Sequence, residues 1–80
     1  MARKIKSLEE LRRLAKDDAV DVYIRLNGGV RSSKHIQYVD NEWCVCNFID
    51  DSEETFSSDA GLDEGTLIVK AIKSGNLILD

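Results

Sequence analysis

The spacing of hydrophobic and polar residues changes along the chain, and each spacing predicts a different element. In "SLEELRRLAK" the apolar residues recur at helical intervals, and Arg12, Arg13 and Lys16 fall on the polar side. The segment opens with a capping box, in which the Ser7 hydroxyl accepts from the Glu10 N–H and the Glu10 carboxylate reaches back to the Ser7 N–H. We therefore predict a capped N-terminal helix that ends at the paired aspartates 17–18.

From Val20 onward the spacing becomes that of β-strands. "VDVYIRL" alternates apolar and polar residues, which is typical of a strand with one buried face. "NGG" at 27–29 predicts a tight hairpin turn, because glycine and asparagine tolerate positive φ. A second strand is expected within residues 30–39, a turn at 40–41 and a third strand over "EWCVCNFI". With a short acidic edge strand over "EETF", the simplest topology is an antiparallel meander of three or four strands.

The C-terminal quarter contains helix signals and one ambiguity. "SSDAGLDEG" predicts a short helical piece with Ser57 or Ser58 as its N-cap. Residues 66–74 favour a helix, because their apolar residues recur at helical spacing and Gly75 is a natural left-handed cap, whereas their β-branched density favours a strand. The terminal "LILD" is expected to pack back on the core. We predict a single α+β domain over residues 1–80, with an N-terminal helix, the meander and a C-terminal helix.

Composition places the chain among ordinary small globular domains. It has 80 residues, of which 42% are hydrophobic and 32% charged. "MARKIK" is followed by the polar "SLEELRRLAKDD", where a signal peptide needs an apolar stretch, and no segment approaches the roughly 18 apolar residues that cross a bilayer. We expect a cytoplasmic location, no membrane contact and reduced cysteines.

The net charge of −4 conceals a gradient along the chain. Residues 1–38 carry nine Lys or Arg against five carboxylates, whereas residues 39–80 carry two against ten. Such an acidic segment attracts cationic partners and repels phosphate backbones, which argues against nucleic-acid binding by the whole protein. We predict a partner-binding surface built from the carboxylates of Asp50, Asp51, Glu53, Glu54, Asp59, Asp63 and Glu64.

Few residues are suited to catalysis or metal binding. Cys44 and Cys46 are two positions apart on a strand, where their Cα atoms are about 6.5–7 Å apart, at or beyond the limit for a disulfide. His35 is the only histidine, so one copy cannot complete a four-ligand zinc site of Cys and His. As a general base, His35 would need a nucleophile beside it, and sequence neighbours on a hairpin seldom converge in that way. We predict no enzymatic activity, no metal and no cofactor.

The stretch "NGGVRSSKH" holds a local basic cluster of Arg25, Arg31 and Lys34. A phosphate-binding loop usually leads into a helix, whereas this one leads into a strand pattern, and both common glycine-rich spacings are absent. A hairpin with a basic rim is the favoured interpretation. Binding of an anion or nucleic acid by these three residues is a second functional hypothesis.

The third predicted strand is apolar on both faces, which predicts a central strand or a covered outer face. If the outer face is uncovered, it offers a surface for self-association, and homo-oligomerisation is a third hypothesis. The residues that would form this interface are Tyr23, Cys44, Cys46 and Phe48.

Three segments, "LNGGVRSSKHIQY", "WCVCNFIDDS" and "AIKSGNLI", resemble small acidic proteins of unknown activity from bacteria, phages and mobile elements. The likeness covers roughly residues 22–79. By analogy, the resemblance implies an inhibitor of host or defence machinery, a class that includes anti-CRISPR proteins that block nucleic-acid-binding surfaces. The leading hypothesis is a non-enzymatic interaction module whose acidic segment binds a host or defence protein through a basic surface.

Overall fold

The helices and strands follow one another along most of the chain in the computed structural model, which describes residues 2–80. The helices are α1 (Leu8–Asp17), α2 (Asp59–Thr66) and α3 (Ile68–Lys73). The strands are β1 (Arg3–Lys4), β2 (Val20–Arg25), β3 (Arg31–Val39), β4 (Glu42–Asn47), β5 (Ser52–Phe56) and β6 (Leu77–Leu79). A single 3-10 turn, Asn27–Gly29, joins β2 to β3. The predicted α+β class is confirmed.

All six strands form one antiparallel sheet in the order β1-β6-β2-β3-β4-β5. Strands β2 to β5 are the predicted meander. The predicted total of three or four strands is wrong, because β6 enters the sheet between β1 and β2, with Leu77 opposite Ile24 and Leu79 opposite Val22. Strands of two and three residues are too short to show the alternation by which a strand is found in sequence.

The N-terminal helix begins where the capping box predicts. Ser7 is the N-cap of α1, and its Oγ accepts from the Glu10 N–H at 3.1 Å. The Glu10 carboxylate reaches one residue further back than predicted and accepts from the Lys6 N–H at 2.9 Å. This backbone hydrogen bond, together with the Arg3 guanidinium 2.8 Å away, holds the pKa of Glu10 below its ordinary value. The side chain of Glu10 therefore links α1 to β1.

Two helices follow β5: α2 where a short helical piece is predicted, and α3 within the predicted C-terminal helix over residues 66–74. Ser58 caps α2 as predicted, with its Oγ accepting from the Gly61 N–H at 3.4 Å. The break lies at Leu67, whose left-handed φ of 62° separates α2 from α3. Residues 68–73 are helical rather than extended, and Gly75 is the expected left-handed residue beyond them, with φ 73°.

The three helices lie on one face of the sheet. Buried residues of all three helices belong to a single core cluster with alternate residues of the strands. The helical members are Leu11, Ala15, Leu62, Ile68 and Ala71, and the strand members include Val22, Ile24, Ile36, Trp43, Val45 and Leu77. Tyr23 and Ile78 are also buried, but they pair with each other across β2 and β6 on the opposite face, which we call the outer face. Within residues 2–80, none of the helices is long and apolar enough to cross a membrane.

Candidate binding surfaces

Strand β5 and the turn before it place four of the predicted carboxylates along one edge of the sheet. Asp50 and Asp51 lie in the turn, and Asp51 adopts a left-handed φ of 56°. Glu53 and Glu54 follow on β5, opposite Cys46 and Val45 respectively, so they project from opposite faces of the strand. All four side chains are exposed.

Helix α2 extends this negative surface because it packs closely against β5. A Cβ placed on Gly65 would lie 2.7 Å from the Phe56 ring and 3.6 Å from a Glu54 carboxylate oxygen, so a larger residue here would displace the ring. Asp63 and Glu64 precede Gly65 in α2, and at about 100° per residue they lie to the side of the helical face that meets β5. We call the following residues the acidic edge: Asp50, Asp51, Glu53, Glu54, Asp63 and Glu64.

The acidic edge forms no ion pair within residues 2–80, and Lys34 is the cation whose charge acts on it, through Asp50 and Glu54. The ion pairs formed within residues 2–80 are Arg3–Glu10 and Arg12–Asp59, and neither these nor the His35–Asp21 contact includes a residue of the edge. One carboxylate oxygen of Asp63 is buried and has no hydrogen-bond partner in the described part of the chain. Carboxylates concentrated in one region create a negative potential, which attracts cationic partners.

Asp59 has a different environment from the other predicted partner-binding residues. Its carboxylate accepts from the Arg12 guanidinium at 3.0 and 2.8 Å and from the Trp43 indole N–H at 3.0 Å. These contacts connect α2 to α1 and to β4. Asp59 therefore has partners within the domain, although its side chain stays partly exposed and the sequence groups it with the partner-binding carboxylates.

Arg12 is the residue that makes this network, and its role was not predicted. Its guanidinium lies 5.5 Å from the Tyr38 ring centre and 5.6 Å from that of Trp43, which is cation–π distance. The prediction that Arg12 lies on the polar side of α1 holds only in part, because the side chain is half-buried between the helix and the sheet. A contact across 47 positions leaves no signal in local sequence spacing.

Lys34 points toward the helical side of the sheet, away from the rest of the predicted basic cluster. It is opposite Val22 and Asn47, is only 7% exposed, and donates to the Asn47 side-chain oxygen. Burial lowers the pKa of Lys34, while the nearby charges of Asp50 and Glu54 act in the opposite direction. Lys34 and Arg31 are three positions apart on one strand, so their side chains lie on opposite faces.

In the turn before β5, hydrogen bonds fix the position of the Asp50 carboxylate and favour its ionised form. The Asp50 carboxylate accepts from the Ser52 N–H at 3.0 Å. Hydrogen bonds from the Ser52 hydroxyl and N–H, with the positive charge of Lys34 nearby, hold the pKa of Asp50 below its ordinary value. Asp50 is therefore ionised throughout the physiological pH range.

Arg25 and Arg31 are paired residues at the hairpin end of β2 and β3. Arg25 donates to the Gly75 carbonyl at 3.2 Å, and the Arg31 guanidinium lies 4.5 Å from the centre of the Tyr23 ring. Both side chains are exposed. Two of the three predicted anion-binding residues therefore lie at the same end of the sheet, and Lys34 is separated from them.

The outer face carries the remaining groups of chemical interest in one row across three strands. Asp21 Oδ1 lies 2.5 Å from His35 Nδ1, and Cys46 is opposite His35 on the next strand. Both cysteines are free thiols. Burial, followed by the charge of Glu53, raises the pKa of Cys46, so its thiolate is disfavoured. A search of the described residues finds no group of three side chains suited to a metal.

Comparison with protein-family models, with curated proteins and with solved structures finds no match to this chain.

Proposed function

We propose that this protein is a non-enzymatic interaction module that binds a basic protein surface through its acidic edge. The observation that carries the proposal is the set of six carboxylates on β5, its preceding turn and α2, none of which is ion-paired within residues 2–80. A cationic partner would be attracted by the negative potential of these carboxylates and would form ion pairs with them that the isolated domain lacks.

The position of the acidic edge also suits binding. Strand β5 is the last strand of the sheet, so its outer backbone groups have no neighbouring strand. An extended segment of a partner can hydrogen-bond to such an edge, while its cationic side chains meet Glu53 and Glu54 on either side. Acidic side chains discourage pairing with a second copy of the same edge, which favours a partner of opposite charge.

We further propose that the partner is a host or defence protein whose basic surface otherwise binds nucleic acid. Carboxylates spaced along a strand and a turn can occupy sites that recognise phosphate, which is the mode suggested by the resemblance to small phage-type proteins. Net charge supports this choice of partner, because residues 39–80 carry two cations against ten carboxylates.

The test is capture of partners from nuclease-treated lysate of the native host by the tagged protein, with identification by mass spectrometry. Affinity for the captured protein is then measured at increasing salt, and it should fall steeply because screening weakens charge attraction. The test variant combines Asp50→Asn, Asp51→Asn, Glu53→Gln and Glu54→Gln, which keep side-chain size and the hydrogen bond to Ser52.

The control variant neutralises four exposed carboxylates away from the acidic edge and therefore changes net charge equally: Glu9→Gln, Asp17→Asn, Asp18→Asn and Asp80→Asn. We expect the test variant to lose at least about tenfold in affinity and the control to lose much less. Ion pairs in contact at the interface contribute more to affinity than charges far from it, whose attraction is screened by salt. Equal losses in the two variants would show that the acidic edge is not the interface. Partners captured only without nuclease would instead favour nucleic-acid binding by Arg25 and Arg31.

Self-association through the outer face is a second candidate, favoured by the packing of all three helices on the other face. The face carries the exposed Phe48 ring next to His35, and Cys44 and Cys46 lie on β4, which ends just before Phe48. Sedimentation at about 1 mM protein would show a species heavier than the 9.0 kDa chain, and Phe48→Ser would return it to that mass. A single 9.0 kDa species in the unmodified protein would exclude this candidate.

A further inference from the structure

A cleft opens between helix α3 and the end of strand β2. Its volume is about 240 Å³, and buried side chains of Ile24 and Ala71 form its floor. Leu26 and Leu67 line its rim and are 44% and 49% exposed. At about 30 Å³ per water molecule, the cleft holds on the order of eight water-sized groups, fewer than a drug-sized ligand. Its size and the apolar part of its lining suit a short hydrocarbon chain, and Asn27, Ser74 and Asn76 add polar groups to the lining.

The charge of the cleft is opposite to that of the protein as a whole. Arg25 and Lys70 line it, and no carboxylate does, although the chain carries fifteen carboxylates and a net charge of −4. One Arg25 nitrogen donates to the Gly75 carbonyl at 3.2 Å, which holds the guanidinium near the cleft and leaves its other N–H groups for a ligand. Arginine with a second cation is the arrangement that best recognises a carboxylate.

The conformation of Leu67 is an independent indication that an apolar ligand binds in the cleft. It adopts a φ of 62°, a left-handed conformation that costs free energy for any residue with a Cβ. Glycine would fit this break between α2 and α3 at lower cost, yet the position carries a large apolar side chain that is half-exposed at the cleft. An exposed leucine in a strained conformation contributes little to the isolated domain and gains contact when an apolar ligand enters.

We propose that this cleft binds a small monocarboxylate with a short apolar chain. The carboxylate group is held by Arg25 and Lys70, and the hydrocarbon lies against Leu26, Leu67 and the apolar floor. The site lies on the α3 side of the domain and is built from residues outside the acidic edge, so the two binding activities are independent. It gives Arg25 an anionic ligand without requiring Lys34.

The test is a titration of the ¹⁵N-labelled protein with hexanoate, followed by NMR amide shifts. We expect saturable shifts at Leu26, Leu67 and Lys70 with a Kd on the order of 1–10 mM, as is usual for so few ligand atoms. Acetate supplies the carboxylate alone and hexanol the chain alone, and each should bind at least about tenfold more weakly.

Variants then distinguish binding in the cleft from a general attraction of hexanoate to any exposed cation. Lys70→Gln and Arg25→Gln should each weaken hexanoate binding by about tenfold, the usual effect of losing a charged hydrogen bond. Lys73→Gln is the matched control, since Lys73 is exposed on the same helix but does not line the cleft. Shifts that do not saturate, equal binding of hexanol or acetate, or equal losses in Lys70→Gln and Lys73→Gln would each overturn the proposal.

Discussion

Replacing Asp59 should affect stability far more than replacing any residue of the acidic edge. In Asp59→Ala, the Trp43 indole N–H loses its acceptor in a residue that is 1% exposed, which costs about 1–3 kcal/mol. Loss of the Arg12 pair adds only about 0.5–1 kcal/mol, because its side chains are 34% and 49% exposed and water screens them. Loss of a carboxylate from the first turn of α2 adds about 0.3–1 kcal/mol.

The expected cost of Asp59→Ala is therefore about 2–5 kcal/mol. A domain of this length has a total stability of about 4–12 kcal/mol, so the variant should lose a substantial part of it. Asp59→Asn keeps an oxygen acceptor for Trp43 and should cost only about 1 kcal/mol. The difference between the two variants isolates the hydrogen bond to the indole from the charge.

Urea denaturation followed by Trp43 fluorescence measures these values directly, because Trp43 is the only tryptophan. Thermal denaturation should show a decrease of about 4–8 °C in Tm per kcal/mol. Glu64→Ala is the control on the same helix, since Glu64 is exposed and should change stability by less than about 0.5 kcal/mol. If Asp59→Ala behaved like Glu64→Ala, the network of Arg12, Trp43 and Asp59 would not stabilise the domain.

Three other outcomes are expected. Burial lowers the folded-state pKa of Lys34, so the unfolded chain binds this proton more tightly and the free energy of unfolding should rise as pH increases toward 10.5. In urea denaturation between pH 7 and 10, Lys34→Met should abolish this rise. Parallel pH profiles of the variant and the unmodified protein would contradict the prediction. Asn41 has a left-handed φ of 63°, which alanine adopts at a higher cost than glycine. Asn41→Ala should therefore lower the stability by about 1 kcal/mol and lower the Tm, whereas Asn41→Gly should not. Equal Tm values for the two variants would refute the role of the left-handed conformation at Asn41. Because the pKa of Cys46 is raised, iodoacetamide at pH 8 should alkylate Cys46 more slowly in the folded protein than in the denatured chain, as measured by mass spectrometry. Glu53→Gln should accelerate the alkylation of folded Cys46. An unchanged alkylation rate in this variant would count against the influence of Glu53.

Elements with strong local signals were predictable from the sequence. Ser7 and Ser58 mark helix starts through their own hydrogen bonds to nearby N–H groups, and Gly75 marks a helix end through its φ. The meander followed from alternating residues and turn residues. Strands β1 and β6 were not predictable, because they are stabilised by pairing with residues distant in sequence and carry no spacing of their own.

The candidate site was predictable only where side chains act independently of distant residues. The exposed position of Glu53 and Glu54 follows from their charge on a short strand. The ion pair of Asp59 depends on Arg12, 47 positions away, and no local pattern reveals it. The inward position of Lys34 could have been predicted from the sequence, because residues two positions apart on a strand share a face. Lys34 therefore lies on the face of β3 that carries Ile36, and Arg31 lies on the other.

The position of β6 between β1 and β2 governs how the chain can fold during synthesis. Until Leu77–Leu79 have emerged from the ribosome, β1 has no strand to pair with and β2 presents an open edge. A nascent chain at that stage exposes an unfinished sheet, which is prone to pair with other unfolded chains. Translation that stops before Leu77 therefore yields an aggregation-prone product rather than a smaller stable domain.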